Sequence, residues 1–251
     1  MKKIAVVDKI VKIIEIVAEN NGIYTMSDIS KALNMQSSTT YNLLQNLVIS
    51  GYLEKDQNSK KYKIGNELLE LIKPVSKRKI IITASEKVIK ELAEKVQESV
   101  VLAIFYNGER YIIAKAEYTD HLVNVNLDLF QKTTCYETVT GRILLAYLSE
   151  TELKEYVRRH GYPEKKWNGI LNFTSLNSAI KEIQKKQIVI NKTNEVSAVA
   201  VPVFGPDKSV WASLGIYLPT TRFTNSKKNQ LIEEVKRAAG EISKNLIEEK
   251  K

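Results

Sequence analysis

Apolar residues recur at two periods along this chain, and the period changes near residue 98. Before that point they return every three or four positions, the spacing of one helical face. Val7, Ile10, Val11, Ile14 and Val17 predict an opening helix over 7–19, stopped by Asn20-Asn21-Gly22. Ile29, Ala32 and Leu33 predict a short second helix, with Thr25 as N-cap and Asp28 placed to complete a capping box. After a turn at Asn34-Met35, the positions Thr40, Leu43, Leu44, Leu47 and Val48 predict a third helix, capped by Ser37 or Ser38 and ended by Gly51. A hairpin follows, with strands from Tyr52-Leu53 and over 60–64 around a turn at 56–59. Leu68, Leu69 and Ile72 predict a helix over 66–73; Pro74 is expected to break it, and Ser76-Lys77-Arg78-Lys79 reads as a linker. Val88, Ile89, Leu92 and Val96 give a further helix over 85–97.

From Ser99 the alternation is of period two. Strands are predicted over 100–106 and 110–116 around Asn107-Gly108, and a third over 122–127. A largely buried helix over 138–148 follows, then helices over 151–160, capped by Ser149, and over 175–186. Strands over 187–190, 196–204 and 209–218 precede a final helix over 225–249, striped by Leu231, Val235, Ala238, Ile242 and Leu246. The fold class is therefore multi-domain α+β. A winged helix-turn-helix occupies 1–65, a linker helix region 66–84, and an α+β domain with an antiparallel sheet 85–251.

The outward face of the third helix carries Ser37, Ser38, Thr39, Tyr41, Asn42, Gln45 and Asn46, all polar and uncharged. A merely solvated helix usually shows Lys and Glu there in mutually supporting pairs. Short hydrogen-bonding side chains suit base edges in a major groove. Lys55, Lys60, Lys61 and Lys63 cluster on the hairpin, and Lys60, Lys61 and Tyr62 are assigned to the same DNA surface, the lysines as phosphate contacts. A solvated edge hairpin guarded by lysines would look alike. Charge favours DNA: residues 1–83 hold 13 Lys and Arg against 8 Asp and Glu, and the other 168 hold 25 against 21, so positive density is about twofold higher at the front.

The single cysteine, Cys135, excludes an internal disulfide and fits a reducing cytoplasm. No apolar run reaches membrane-span length, and no signal peptide is read at Met1-Lys2-Lys3, so a cytoplasmic protein is expected. His121 and His160 lack metal-ligand spacing, and no phosphate loop, dinucleotide fingerprint or nucleophile elbow is present. No catalytic residue, metal or cofactor is assigned.

Four stretches together resemble the IclR family of transcriptional regulators: NMQSSTTYNLLQNLVISGYLEKDQNSKKYKIG, TVTGRILLAYLSETEL, EVSAVAVPVFGPDKSVWASLGIYLPTTRF and RAAGEISKNL. The resemblance implies a GAF-like effector-binding second domain, and a homodimer or dimer of dimers on a palindromic operator in double-stranded DNA. It departs from the family at Gln36-Ser37-Ser38, where Pro-Lys-Ser is frequent, and at Asn42, where Arg is common. By the same resemblance the effector sits at a helix start near Thr138, Val139 and Thr140. The facing strand positions, Ala198, Gly215 and Tyr217, replace the family's Cys and Ser. Trp211 is added as a candidate wall and Arg142 as a candidate counter-ion. The expected effector has one polar end and an apolar body. Two other readings are an enzyme on the GAF-like domain with a DNA-binding appendage, and a ligand-independent DNA binder.

Overall fold

Helix α1 (Ala5–Glu19) leads to α2 (Met26–Ala32) and α3 (Ser37–Ile49), and strands β1 (Leu53–Lys55) and β2 (Tyr62–Ile64) form the wing. The capping box of α2 is present: the Asp28 N–H donates to Thr25 Oγ1, and the Thr25 N–H donates to Asp28 Oδ2 at 2.8 Å. Asn34 turns the chain in the left-handed conformation (φ 48°), and the Ser30 hydroxyl donates to the Met35 carbonyl at 2.6 Å. The start of α3 differs from the expectation. Gln36 is its N-cap, without a side-chain bond, so Ser37 and Ser38 lie in the first turn with exposed side chains. Its end is a Schellman motif: Tyr52 N–H donates to the Leu47 carbonyl and Gly51 N–H to Val48, with Gly51 at φ 72°.

The core of this unit gathers Ile13, Val17, Ile29, Leu44, Leu47, Leu53 and Tyr62. The predicted face of α1 holds at Ile10, Ile14 and Val17, and Ile13 joins it. Ile13 and Val17 point inward, while Val7 and Val11 remain about half exposed. Ala32, expected inside, is also exposed.

This computed structural model describes residues 4–130 and 133–248. The chain separates into two compact units, Met1–Lys77 and Arg78–Lys251, with the boundary inside one helix, α4 (Asn66–Val96). The break expected at Pro74 does not occur. Proline removes one helical N–H at a cost of about 3 kcal/mol, but the freed carbonyl belongs to exposed Glu70, where water can take it.

The second unit holds a five-stranded antiparallel sheet of β3 (Ser99–Tyr106), β4 (Glu109–Ala116), β5 (Val189–Lys192), β6 (Val196–Phe204) and β7 (Val210–Pro219), in the order β4-β3-β7-β6-β5. Asn107 and Gly108 turn β3 into β4 with positive φ at both positions, as a tight hairpin requires. One sheet face packs on the second half of α4 and on α8 (Asn225–Glu248), through Val88, Leu92, Val235, Ile242 and their neighbours. The other carries α5 (Val139–Ala146), α6 (Glu150–His160) and α7 (Phe173–Lys186), with Val139, Ile143, Leu153, Leu176 and Ile180 inward. Glu249, expected to end the last helix, lies outside the described residues.

Two strand expectations change. Residues 122–127 form no strand; Leu122 and Val123 are exposed, and the Asp128 N–H bonds Asn126 Oδ1 to open a 3-10 turn at Leu127–Phe130. β5 begins at Val189, because Gln187 is spent as the left-handed cap of α7.

A row of bonds ties the end of β7 to the β5–β6 connection and to the residues that follow α4. The Thr220 N–H donates to the Glu195 carbonyl at 2.8 Å and its hydroxyl to the Thr193 carbonyl at 2.9 Å. Two residues on, Arg222 grips the Glu98 carboxylate through Nε at 2.8 Å and Nη2 at 2.6 Å, while Nη1 donates to the Val123 carbonyl. Glu98 is 2% exposed. No helix among the described residues is long and apolar enough to cross a membrane.

Candidate nucleic-acid interface and ligand cavity

Tertiary packing turns the buried stripe of α3 inward through Thr40, Leu44 and Leu47, which leaves the opposite face to solvent. Ser37, Ser38, Tyr41, Asn42 and Asn46 are exposed there, and Thr39 and Gln45 half-buried. Asn46 Nδ2 donates to the Asn42 carbonyl at 2.8 Å, which holds its amide along the helix. No acidic residue sits in the first turn, so the positive end of the helix dipole is uncompensated.

On the wing, Asp56 Oδ1 accepts from Ser59 N–H at 2.7 Å and from Asn58 N–H at 3.1 Å, which fixes the tip. The four lysines are not equivalent. Lys63 pairs with Glu54 across the hairpin at 2.9 Å, and that hydrogen bond holds its ammonium above the usual lysine range. Lys55 lies over the Tyr62 ring, 5.6 Å from its centre. Among the described residues Lys60 and Lys61 form no ion pair; Lys60 is exposed and Lys61 half-buried. Tyr62 does not belong to this surface. Its side chain is buried in the core, and alternation along β2 turns Lys61 and Lys63 outward instead.

In the second unit a cavity of about 210 Å³ lies where α5 begins. Asn191, Ala198 and Tyr217 are cross-strand neighbours on β5, β6 and β7 and line it together. Glu137, Thr138 and Val139 line it from the helix start, Phe130 from the 3-10 turn, Thr193 and Glu195 from the β5–β6 connection, and Val196 from the start of β6. Thr138 caps α5 by accepting from Gly141 N–H at 3.0 Å. Burial pushes the Glu137 carboxyl up, but bonds from Thr134 and the charge of Lys166 outweigh this and leave it below the usual carboxylate range.

Four of the seven predicted residues therefore meet at the cavity: Thr138, Val139, Ala198 and Tyr217. Thr140 and Gly215 lie behind its wall. The Thr140 methyl rests on Gly215, where a Cβ would stand 2.7 Å from it, and the Thr140 hydroxyl bonds the Tyr217 hydroxyl at 3.1 Å. Gly215 thus admits a helix rather than a ligand. Trp211 is on the other sheet face: a register shift at Val203/Phe204 turns it onto Gly205, where Nε1 bonds Asp207 at 2.9 Å. Arg142 is no counter-ion to the cavity. It is buried, donates to the Tyr136 and Lys166 carbonyls at 2.8 Å, stacks on Trp167, and is pushed down to about 10 by burial. Burial pushes the Cys135 thiol up to about 12, so it stays neutral and unreactive. Asn191 and Thr193 escape sequence reasoning because β5 starts two residues later than its pattern suggests. Phe130 escapes it because its turn has no period.

A family model described as "IclR helix-turn-helix domain" matches residues 6–57, and one described as "Bacterial transcriptional regulator IclR C-terminal" matches 73–244. The chain is 24% identical over 243 residues to the HTH-type transcriptional regulator XynR of Escherichia coli (strain K12), covering 96% of each. Among solved structures, the IclR of Thermotoga maritima aligns at a TM-score of 0.57 with 25% identity, covering 96% of this chain and 98% of that one. An IclR homolog from Microbacterium hydrocarbonoxydans, complexed with 4-hydroxybenzoate, aligns at 0.56 with 18% identity over 96% and 98%.

Proposed function

Since the chain belongs to the IclR family of DNA-binding transcriptional regulators, which carry an effector-binding C-terminal domain and are not enzymes, we propose a specific division of labour among its residues. Ser37, Ser38, Thr39, Tyr41, Asn42, Gln45 and Asn46 read bases in a major groove, and Lys60 and Lys61 hold phosphates. The observation that carries this is the uncharged polar face of α3 together with two wing lysines that form no ion pair among the described residues. Asn and Gln pair bidentately with adenine, so each half-site is rich in A·T.

The operator is palindromic and the regulator a homodimer or dimer of dimers in the cytoplasm. Support comes from the first unit, which exposes Val7 and Val11 on α1 and Leu69, Leu71, Ile72 and Val75 on α4, more apolar surface than a monomer usually leaves bare. The cavity at the start of α5 takes a small effector with a polar end and an apolar body. Thr138, Val139, Ala198, Tyr217, Phe130 and Asn191 contact it, and its differential affinity for two arrangements of the chain shifts DNA binding. At about 210 Å³ the cavity is below the usual range of roughly 300–1,000 Å³, so the effector is small. Selection of bound sites from random DNA, with sedimentation of the free protein, tests the reading. Expected are inverted A·T-rich half-sites and an even-numbered assembly. A monomer with a single G·C-rich site refutes it.

A further inference from the structure

Arg142 does not line the cavity at the start of α5, but it lines another, of about 280 Å³, and the two share no residue. α7 supplies Ala179 and Ile183 to the second cavity, and β5, the end strand of the sheet, supplies Val189 and Ile190. Trp167 and Asn168 come from the loop before α7. That loop is pinned by a bridge between Glu164 and Ile170, and Asn168 and Gly169 turn it in the left-handed conformation. It lays the Trp167 ring 5.1 Å from the Arg142 guanidinium.

One charge in this lining is unbalanced. Arg142 is 6% exposed. Its Nε and Nη2 are taken by the Tyr136 and Lys166 carbonyls, both neutral. Among the described residues no carboxylate pairs with it, and its Nη1 has no hydrogen-bond partner. Glu182 and Lys186, also in the lining, pair with each other at 2.6 Å and cancel. The cavity therefore carries a net positive charge on a side chain that water barely reaches. A buried cation without a counter-ion is unfavourable, and an anion that supplies one gains a charge-assisted hydrogen bond. Since only Nη1 is open, it takes one oxygen of a ligand. The remaining walls, Ile183, Ile188, Val189 and Ile190, offer no polar side-chain group. A volume of about 280 Å³ lies at the lower edge of the usual range of roughly 300–1,000 Å³ for ligand sites, so a small molecule fills it.

We propose that this cavity is a second small-molecule site of the chain, for a small acid with a branched aliphatic body. One acid oxygen meets Arg142 Nη1, and the body lies against Ile183, Val189 and Ile190. The site is separate from the effector cavity, and the inference does not depend on the effector reading.

Trp211→Phe leaves Trp167 as the single tryptophan, so its emission reports this cavity. The full chain carrying that change is titrated with isovalerate and with isovaleramide, which share shape and differ in charge. Isovalerate should give a saturable change in emission, half-complete at a concentration about tenfold below that of the amide, the advantage of a charge-assisted over a neutral hydrogen bond. Ala179→Phe, which fills the cavity and leaves the bonds of Arg142 alone, should abolish the change. Ala198→Leu, which narrows the effector cavity instead, should leave it intact. Should Ala179→Phe not fold, Arg142→Lys serves: it keeps the charge but cannot reach both carbonyls and the ligand, and it should reduce the acid preference. No saturable change with isovalerate, or a change that survives Ala179→Phe, overturns the site. Loss of the response in Ala198→Leu with its retention in Ala179→Phe places the acid in the effector cavity, which overturns this inference and leaves the effector reading standing. Equal responses to acid and amide overturn the role given to Arg142 and the proposal with it.

Discussion

Replacing Arg222 with alanine should destabilise the second unit by about 3 kcal/mol, the lower end of the 3–5 kcal/mol seen when one partner of a buried ion pair is removed. The magnitude follows from the two ends of the pair. The Glu98 side chain is 1% exposed and loses two hydrogen bonds at 2.8 and 2.6 Å, so its carboxylate is left dry. The Arg222 side chain is 25% exposed, and water entering its place recovers part of the loss. For a unit of this size 1 kcal/mol corresponds to roughly 2–4 °C, so the midpoint should fall by about 6–12 °C. Both tryptophans, Trp167 and Trp211, lie in the second unit, so their fluorescence reports its unfolding separately from the first. Arg222→Lys should fall between, since an ammonium cannot make the paired contact. Replacing Glu98 and Arg222 together by leucine should recover much of the loss. A single-mutant shift below about 3 °C, or a double mutant worse than Arg222→Ala, would show that the pair is not desolvated as described.

Lys60→Ala with Lys61→Ala should weaken binding to operator and random DNA alike, and should lower the slope of log affinity against log salt by about 0.9 per lost phosphate contact; an anisotropy titration over a salt series reads this. Asn42→Ala should cost roughly 1–3 kcal/mol at one base position and relax specificity there, as measured on single-substitution operators. Tyr217→Ala should reduce the thermal stabilisation given by effector, about 2.7 kcal/mol at 100 times the dissociation constant, with ligand-free DNA binding nearly unchanged. Bonds from the Thr25 hydroxyl and backbone hold the Asp28 carboxyl below the usual range. A depressed folded value means that this stability is complete above the unfolded pKa of about 3.9 and is lost as pH falls through the folded value. Thr25→Ala should therefore flatten the acid limb of helix loss below about pH 4 in circular dichroism.

Legibility in the sequence followed the strength of local signals. The capping box at Thr25, the Gly51 stop, the Asn107-Gly108 hairpin and the stripe of α8 carry their cause within four or five residues, and each is found where it was expected. Pro74 misled because α4 runs through it: the carbonyl it frees is that of exposed Glu70, which water can satisfy. On α1 the period placed Ile10, Ile14 and Val17 correctly; that Ile13 is buried while Val7 and Val11 are not belongs to packing. The DNA-facing candidates lie on one regular helix and could be named by period alone, whereas Tyr62 failed because its strand alternates. Phe130, Thr193 and Glu195 reach the cavity from a 3-10 turn and a strand connection, which have no period to read. Trp211 was lost to a bulge that no local pattern announces.

The close seat of Thr140 on Gly215 limits how this chain can diverge. Any side chain at 215 must displace the Thr140 methyl, because its Cβ would fall 2.7 Å away, inside real contact distance. Any loss of the Thr140 hydroxyl strands the Tyr217 hydroxyl beside it. The three positions are therefore not free to drift singly; Gly215→Ala becomes tolerable only after residue 140 has lost its methyl, and the loss must spare the hydroxyl that Tyr217 uses. Divergence at this wall should proceed by compensated pairs, with Thr140→Ser preceding Gly215→Ala. Descendants of this chain with a new effector should carry the substitutions as a linked set.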